Sequence, residues 1–265
     1  MKKLLLVISC LISINAYPQS ITNTLGTGGL FTIKDSLNTY LTLSQPTGQV
    51  NILRNLRLEN TTTQDLGIIF KGGSRFIHDY KSLSTFGQNI FIGINAGNFS
   101  MSGIDVQASY NTVVGNMSLN ENTTGSGNTA LGFQSLLFNT TGSANTSIGM
   151  QSLSYNTTGY ENTSVGIQSM LSNISGFQNL AVGYQSLYYN SSGYINTAIG
   201  FQSLHLNTTG SENTSVGYQS LYSGSTSSEN TAVGFQTLYS NTAGYGIYTA
   251  GRIKKQQTAE VCSDV

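Results

Sequence analysis

Charged residues are scarce in this chain of 265 residues: they make up 8% of the sequence, and the formal net charge is zero. A chain with so little charge cannot be kept disordered by charge repulsion. No Lys or Arg occurs between Lys81 and Arg252. This long segment therefore has no basic stripe that could neutralise phosphates, and we expect no nucleic-acid partner.

Large apolar and cross-linking residues are also few. The sequence has no Trp, two Pro and two Cys, and its hydrophobic fraction of 38% lies below the roughly 45–50% of an ordinary globular chain. Cys10 falls in an N-terminal targeting segment, and removal of that segment would leave Cys262 without an intramolecular partner. This excludes a disulfide scaffold. Order has to come from something other than a large apolar core.

The first residues have the pattern of a secretory signal peptide. Met1-Lys2-Lys3 is followed by an apolar run from Leu4 to Ile14 and then by Asn15-Ala16. The run is shorter than the roughly 20 residues that span a bilayer. Residues 1–16 are thus predicted to be cleaved, after Ala16 or a few residues later, and the protein to be secreted or displayed on a bacterial cell surface. An uncleaved anchor and a lipoprotein signal at the cysteine are the alternatives.

A 17-residue repeat dominates the rest of the sequence. The unit reads Asn-Thr-Ala/Ser-aliphatic-Gly-aromatic-Gln-Ser-Leu-x-x-Asn-Thr-Thr-Gly-x-x, and nine copies run from 89 to about 246. The weaker first copy, at Asn89, is displaced by a five-residue insertion, and Asn111 begins the second. The remaining copies begin at Asn128, Asn145, Asn162, Asn179, Asn196, Asn213 and Asn230.

This period predicts a solenoid, because a 17-residue unit cannot bury its apolar positions alone but can do so when stacked on its neighbours. We predict an all-β protein with a parallel β-solenoid, or β-roll, of about nine coils at residues 89–246. Thr-Ala-Val-Gly is predicted to form a short strand with its aliphatic side chain inward. Gln-Ser-Leu could be a second strand or one helical turn, and periodicity alone does not separate the two.

The polar residues of the unit have predicted structural roles. The asparagines from Asn128 to Asn230 that begin the copies are expected to form a side-chain ladder, each bonding the ones above and below. The Gly after the aliphatic residue would relieve steric conflict where the chain turns or where another backbone comes close. Asn-Thr-Thr-Gly would supply a turn, since Asn and Gly tolerate left-handed geometry.

The segments on either side of the repeats are different in kind. Residues 20–88 contain short alternating runs such as Phe31–Lys34 and Tyr40–Leu43, which predict a small β-rich region that caps or precedes the coils. Residues 247–265 are predicted to be a degenerate repeat followed by a polar tail. Because a solenoid needs a capped end and this tail is a poor cap, we hypothesise that the chain is a truncated or frameshifted version of a longer protein.

Candidate catalytic residues are few. The two histidines are His78 and His205, and His205 aligns with Leu, Ser and Tyr in other copies, which predicts a variable surface position. Glu161, Glu212 and Glu229 share the position just before the next Asn and are expected to keep one edge soluble. The sequence indicates neither a carboxylate pair across a cleft nor a His/Cys cluster. We therefore predict no catalytic residue, no metal site, no cofactor and no enzymatic activity.

One row of aromatic residues is a candidate ligand-binding site. Tyr160, Phe177, Tyr194 and Tyr245 occupy the position after the turn Gly, which is Ser in other copies. A position that accepts both Tyr and Ser is predicted to be exposed. Exposed aromatics in a row can stack on sugar rings or dock a partner. Ordinary surface scatter is the alternative.

The unit, as in Asn230-Thr231-Ala232-Val233-Gly234 followed by a Gly-containing turn, resembles the head repeats of trimeric autotransporter adhesins (YadA-like). It is more similar still to the 17-residue variants in exported bacterial tail-fibre-like proteins. The match covers roughly residues 89–246. The resemblance implies left-handed parallel β-rolls that associate as trimers and bind host or matrix surfaces. The adhesin unit is usually shorter than the one repeated here, and the endosialidase-type C-terminal chaperone domain of the tail-fibre relatives has no counterpart in this sequence.

These observations predict an exported, non-enzymatic adhesion or structural element of a cell surface or fibre. It would be a homotrimer that binds a host, matrix or glycan surface through many weak contacts along its side. A carbohydrate-active enzyme on a β-helix is one alternative, and it would need clustered acids on one face. An ice- or mineral-binding surface is another, and it would use regular threonine rows such as Thr129, Thr146 and Thr163.

Overall fold

The computed structural model describes residues 68–251 and, before them, the backbone of three strands at 30–34, 39–44 and 49–52. These described residues form strands, turns and loops, with no helix among them, and so none that could cross a membrane. The predicted signal peptide, residues 1–16, and the polar tail after Gly251 lie outside the described residues.

The chain divides into two compact units, Met1–Arg57 and Leu58–Val265. In the first, β1 (Leu30–Lys34), β2 (Thr39–Ser44) and β3 (Gln49–Ile52) form an antiparallel sheet in chain order. β1 and β2 coincide with the alternating runs Phe31–Lys34 and Tyr40–Leu43, the pattern typical of strands with two different faces. The prediction of a small β-rich N-terminal region is confirmed.

The second unit contains one sheet of 12 strands that follow one another in chain order. Its strands are β4 (Ile69–Lys71), β5 (Ser74–His78), β6 (Ile90–Ile92), β7 (Thr112–Val114), β8 (Thr129–Leu131), β9 (Thr146–Ile148), β10 (Thr163–Val165), β11 (Leu180–Val182), β12 (Thr197–Ile199), β13 (Thr214–Val216), β14 (Thr231–Val233) and β15 (Tyr248–Ala250). From β6 to β15 every neighbouring pair is parallel.

Equivalent residues of successive coils lie beside one another. Thr163 pairs with Thr146, and Val165 pairs with Ile148. The strand starts from Thr112 to Tyr248 keep the 17-residue period, whereas the interval between β6 and β7 is longer because of the insertion. The predicted parallel β-solenoid is confirmed, and the degenerate tenth unit supplies β15. At about 4.8 Å per strand, the stack from β6 to β15 extends about 43 Å.

A β-hairpin covers the N-terminal edge of the parallel sheet. β4 and β5 are antiparallel, and β5 pairs antiparallel with β6, so the edge of the first coil is bonded. The side chains beneath this hairpin are aromatic: the His78 ring stacks on Phe91 at 4.6 Å and lies 5.0 Å from Phe99. The Arg75 guanidinium lies 4.7 Å above the Phe99 ring. We call this cluster the aromatic cap.

The interior of the coils is narrow, and one long apolar side chain per coil forms a continuous buried row; Leu137 and Leu171 are buried in addition. This leucine row comprises Leu119, Leu136, Leu153, Met170, Leu187, Leu204, Leu221 and Leu238. Opposite it, each strand from β8 to β14 points only its middle residue inward, and that residue is Ala or Ser, as in Ala130, Ser147 and Ala181. The prediction that the aliphatic residue points inward is wrong: Leu131 is 46% exposed and Val233 40%. Because successive strand residues alternate in direction and the leucine row already fills the interior, the aliphatic residue lies on the outer face.

Gln-Ser-Leu is neither a strand nor a helical turn. Gln134 and Leu136 have φ values of 56° and 52°, the intervening Ser135 does not share this left-handed geometry, and the pattern recurs in every regular coil. This alternation makes a tight corner in which two successive residues, Ser135 and Leu136, are both buried. The Gln134 N–H donates to one neighbouring coil, at Asn116, and the Leu136 N–H donates to the other, at Ser152. The corner therefore bonds to both neighbours without being a strand.

Two glycines per coil are required for different reasons. Gly149 has φ 134°, and a Cβ there would overlap the Gly166 carbonyl of the next coil. Gly142, in the Asn-Thr-Thr-Gly turn, has no positive φ; a Cβ there would overlap the Gly159 carbonyl and the Asn139 side chain. The prediction that this turn uses left-handed geometry is wrong. The left-handed residue is the one before the next coil, such as Glu161 at φ 55°.

Candidate functional site

The asparagines that begin the coils form one continuous ladder in the solenoid interior. The backbone N–H and the Nδ2 of Asn145 both donate to Oδ1 of Asn128, at 3.0 and 3.2 Å. The same Nδ2 donates to the Gly159 carbonyl at 2.9 Å. The structure brings together all the predicted ladder residues, Asn128, Asn145, Asn162, Asn179, Asn196, Asn213 and Asn230, in this arrangement. All of them are buried, and Asn89 and Asn111 extend the ladder towards the cap.

Two further ladders were missed by sequence reasoning. The turn asparagines form the second: Nδ2 of Asn156 donates to Oδ1 of Asn139 at 2.6 Å and to the carbonyl of Gly159, in its own coil, at 2.9 Å. The repeated glutamines form the third, in which Nε2 of Gln168 donates to Oε1 of Gln151 at 3.0 Å. The 17-residue recurrence of both amides was the available signal, because a carboxamide both donates and accepts and can therefore bond the copy above and the copy below.

The ladders hold the equivalent outward side chains of successive coils in rows. Two of these rows, one on each side of the repeated Gly, form what we call the outer apolar face. The row before the Gly comprises Leu131, Ile148, Val165, Val182, Ile199, Val216 and Val233. The row after it comprises Phe133, Met150, Ile167, Tyr184, Phe201, Tyr218 and Phe235, all between 41% and 46% exposed. No residue of either row is charged, and strand threonines such as Thr163 lie beside them.

Acidic side chains lie on a different part of the coil. Glu161 and Glu212 are exposed, and Glu229 lies in the same row. Gln178, at the equivalent position of the coil after Glu161, donates from Nε2 to Oε2 of that carboxylate at 2.9 Å. These carboxylates succeed one another along one edge, and none faces another across a groove.

The candidate aromatic row is a stack of three rings and one separate ring. Phe177 lies between Tyr160 and Tyr194 with ring centroids 4.9 and 5.0 Å apart and ring planes within 4° of parallel. Tyr245 is set apart by the two coils that carry Ser at this position, and its hydroxyl donates to Glu229. Because the stacked rings cover one another, Phe177 presents mainly its edge, and a free ring face is left only at the two ends of the stack.

A second stack contains the histidine of the repeat. The His205 ring lies between Tyr188 and Tyr222, at 5.2 and 5.1 Å, and its Nδ1 lies 2.9 Å from the Gln185 carbonyl oxygen. The prediction of a surface position for His205 is wrong, since the residue is 7% exposed. Burial lowers its pKa below the ordinary value, which keeps the ring neutral. It acts as one more flat ring in the stack.

Within the part of the chain that the structure describes, no three His, Cys, Asp or Glu side chains come together as a metal site. What the coils present is repetition: apolar, hydroxyl and aromatic rows, each with one side chain per coil. Comparisons with known protein families, curated proteins and solved structures found no match to this chain.

Proposed function

We propose that this chain is an exported, non-enzymatic repeat protein that serves as an adhesion or structural element of a cell surface or fibre. The observation that carries the proposal is the set of rows in which an exposed side chain of the same kind, apolar, hydroxyl or aromatic, recurs in successive coils. A partner that contacts one coil weakly can contact several at once, and the contacts then add through high effective concentration. The ladders contribute by fixing the spacing at which those contacts are offered.

The outer apolar face supports association of the chain with copies of itself, as a homotrimer. Seven coils expose on the order of 1,000 Å² of apolar side chain here, more than the roughly 300–600 Å² patch of a typical monomer. A standard interface takes about 800 Å² from each partner. Another copy has the same period and the same uncharged rows, so three copies around one axis would bring equivalent coils into a single layer.

Sedimentation of the purified chain tests this association. We expect three times the mass of one chain, and a single-chain mass for a variant with Ile199→Lys and Phe201→Lys, because buried ammonium groups oppose the interface. Thr158→Lys with Thr209→Lys is the matched control, since both threonines are exposed away from this face. A wild-type chain that sediments as a monomer contradicts the trimer, and loss of association in the control contradicts the assigned face.

The stacked row Tyr160–Phe177–Tyr194 is the proposed contact for a glycan or matrix ligand, chiefly through its free end faces and its ring edges. Binding of the whole chain to glycan and matrix-protein arrays is the test. Tyr160→Ser with Tyr194→Ser is expected to lower binding severalfold without unfolding, because Ser already stands at this position in other coils. Tyr155→Ser is the control, since Ser172 occupies its equivalent position. Equal binding by all these proteins removes the row from the proposal.

A second candidate function, ice or mineral binding, is favoured by the outward threonines of the strands. Thr129, Thr146 and Thr163 are paired in parallel register, and Leu180 interrupts this row before it resumes at Thr197. A regular hydroxyl row on a parallel sheet can order water or mineral ions in the same repeat. Thermal hysteresis or inhibition of crystal growth by the purified chain would support this function, and inactivity in both assays would remove it.

A further inference from the structure

One coil departs from the repeat at two linked positions. In the coil that begins at Asn213, Gly224 stands where the other coils carry the turn asparagine, and Ser227 stands where they carry the turn Gly. The turn backbone is retained, because the Ser227 carbonyl accepts from Nδ2 of Asn213 at 2.7 Å, as the turn glycines do for the other ladder asparagines.

The two substitutions compensate for each other sterically. In a regular coil the turn Gly has no room for a side chain, because the coil's own asparagine occupies that place, as Asn156 does against Gly159. Gly224 removes the asparagine, and the Ser227 hydroxyl now lies 2.6 Å from the point where a Cβ on Gly224 would stand. Serine therefore occupies part of the missing asparagine's place.

The exchange interrupts the second ladder and leaves its neighbours incomplete. From Asn139 to Asn207, each turn asparagine donates from Nδ2 to Oδ1 of the preceding coil, as Asn207 does to Asn190 at 2.7 Å. Asn207 Oδ1, Ser227 Oγ and Asn241 Nδ2 have no hydrogen-bond partner in the protein, although all three atoms are buried. Within the described residues they are three of the four buried side-chain atoms of this kind.

These three atoms lie in three successive coils, at or beside the position where the second ladder is interrupted. Asn207 and Asn241 belong to the coils before and after Gly224, and in a complete ladder both would bond to the side chain at that position. Ser227 reaches the same point from within the coil. The ladder pattern thus assigns an oxygen acceptor, an amide donor and a hydroxyl that can do either to the position of the missing carboxamide.

We propose that this position is a binding site for one buried water molecule, which serves as the missing rung. The Asn side chain exceeds that of Ser by roughly two heavy atoms, about the space that one water fills, and a buried water makes about three hydrogen bonds. The water donates to Asn207 Oδ1, accepts from Asn241 Nδ2 and bonds the Ser227 hydroxyl. The amide donor opposes a cation and the carbonyl oxygen opposes an anion, so the site selects a neutral molecule.

Crystals of the full chain that diffract well enough to show ordered solvent test the site directly. We expect a single water within hydrogen-bond distance of both Asn207 Oδ1 and Asn241 Nδ2. A direct bond from Ser227 to Asn207 with no density between them and Asn241, or a bound ion in place of water, overturns the proposal.

Two variants supply an independent measurement in solution. Gly224→Asn with Ser227→Gly rebuilds the regular coil, so we expect the water to be lost and amide exchange in this coil to slow by roughly tenfold. Gly224→Asn alone sets the new side chain against the Ser227 hydroxyl, and its Tm should fall below that of the wild type. Unchanged amide exchange in the double variant, or a single variant as stable as the double one, contradicts the proposed compensation between Gly224 and Ser227 on which the site depends.

Discussion

The aromatic cap and the regular coils belong to the same sheet but are held together differently. Under the hairpin, His78, Phe91 and Phe99 pack ring against ring, as in an ordinary small core. In the coils from 128 to 212, one or two leucine or methionine side chains per coil are accompanied by buried Asn and Ser side chains. Amide ladders replace apolar packing where each residue stands above the equivalent residue of the next coil. Because β5 runs antiparallel to β6, it places no equivalent residue beside β6, and the cap packs aromatic rings instead.

The two regions should differ most in how much stability is lost when a glycine is replaced by alanine. Gly149→Ala places Cβ against the Gly166 carbonyl at a φ of 134°, and we expect a loss of at least about 3 kcal/mol of unfolding free energy. Gly73→Ala, in the β4–β5 turn at φ 82°, meets no atom within 4 Å and should cost about 1 kcal/mol. Urea denaturation measures both, and equal losses would contradict the close approach of the coils.

Removal of one rung tests whether the amide ladder replaces a core. Asn162→Ala deletes the acceptor of two N–H groups of Asn179 and two donors that serve the preceding ladder residue and a turn carbonyl. We expect a loss of about 3 kcal/mol, since buried donors are left unpaired. Thr158→Ala, at an exposed position of the preceding coil, should stay within about 0.5 kcal/mol of the wild type. A loss below about 1 kcal/mol for Asn162→Ala would show that the ladder is dispensable.

Acid should affect the cap through His78. Burial, opposed by the hydrogen bond to the Ala96 carbonyl, lowers the pKa of His78 from 6.5 to about 4. The unfolded chain therefore takes up this proton first, and folded-state stability falls as the pH drops from about 6.5 to about 4, with no further contribution from this group below that. His78→Gln should lose this part of the pH dependence. Hydrogen exchange in β4 and β5, compared between the two proteins at pH 7 and pH 4.5, is the measurement; identical pH profiles would remove His78 from the effect.

The smallest effect is expected at the third ladder, which is half-buried. Gln168→Ala removes its bonds to Gln151 and Gln185, but water can reach the groups left behind. We expect a loss of about 0.5–1 kcal/mol, well below that of Asn162→Ala, by urea denaturation. A loss as large as that of Asn162→Ala would mean that the burial of a ladder does not determine how much it stabilises the fold.

The sequence was sufficient to predict the solenoid, its period and the first ladder, because these depend only on which residue stands above which. Register could be read from Asn128, Asn145 and the later copies without knowledge of the coil's path. Which side chains face inward could not be predicted, because this depends on the left-handed φ of Gln134 and Leu136. Gln and Leu rarely adopt that conformation. That corner sends Leu136 inward and leaves Leu131 outside.

For the candidate surfaces, the sequence predicted the exposed position of the aromatic row but not the contacts between side chains. The position shared by Tyr160 and Phe177 was expected to be exposed, and the structure adds that the rings cover one another. His205 was misplaced because variability at one position was interpreted as exposure, whereas rings of Tyr and His can replace one another inside a stack. The pair of Gly224 and Ser227 was visible in the sequence, but its meaning required the contact between a turn glycine and its own asparagine.

Because each asparagine of the first ladder bonds to a neighbour identical to itself, no regular coil is tied to one particular place in the stack. Loss or duplication of one whole repeat unit would join two ends that match, with every rung paired again. We therefore expect variants with one regular coil fewer or one more to keep the fold, so that the length of the stack changes in steps of about 4.8 Å.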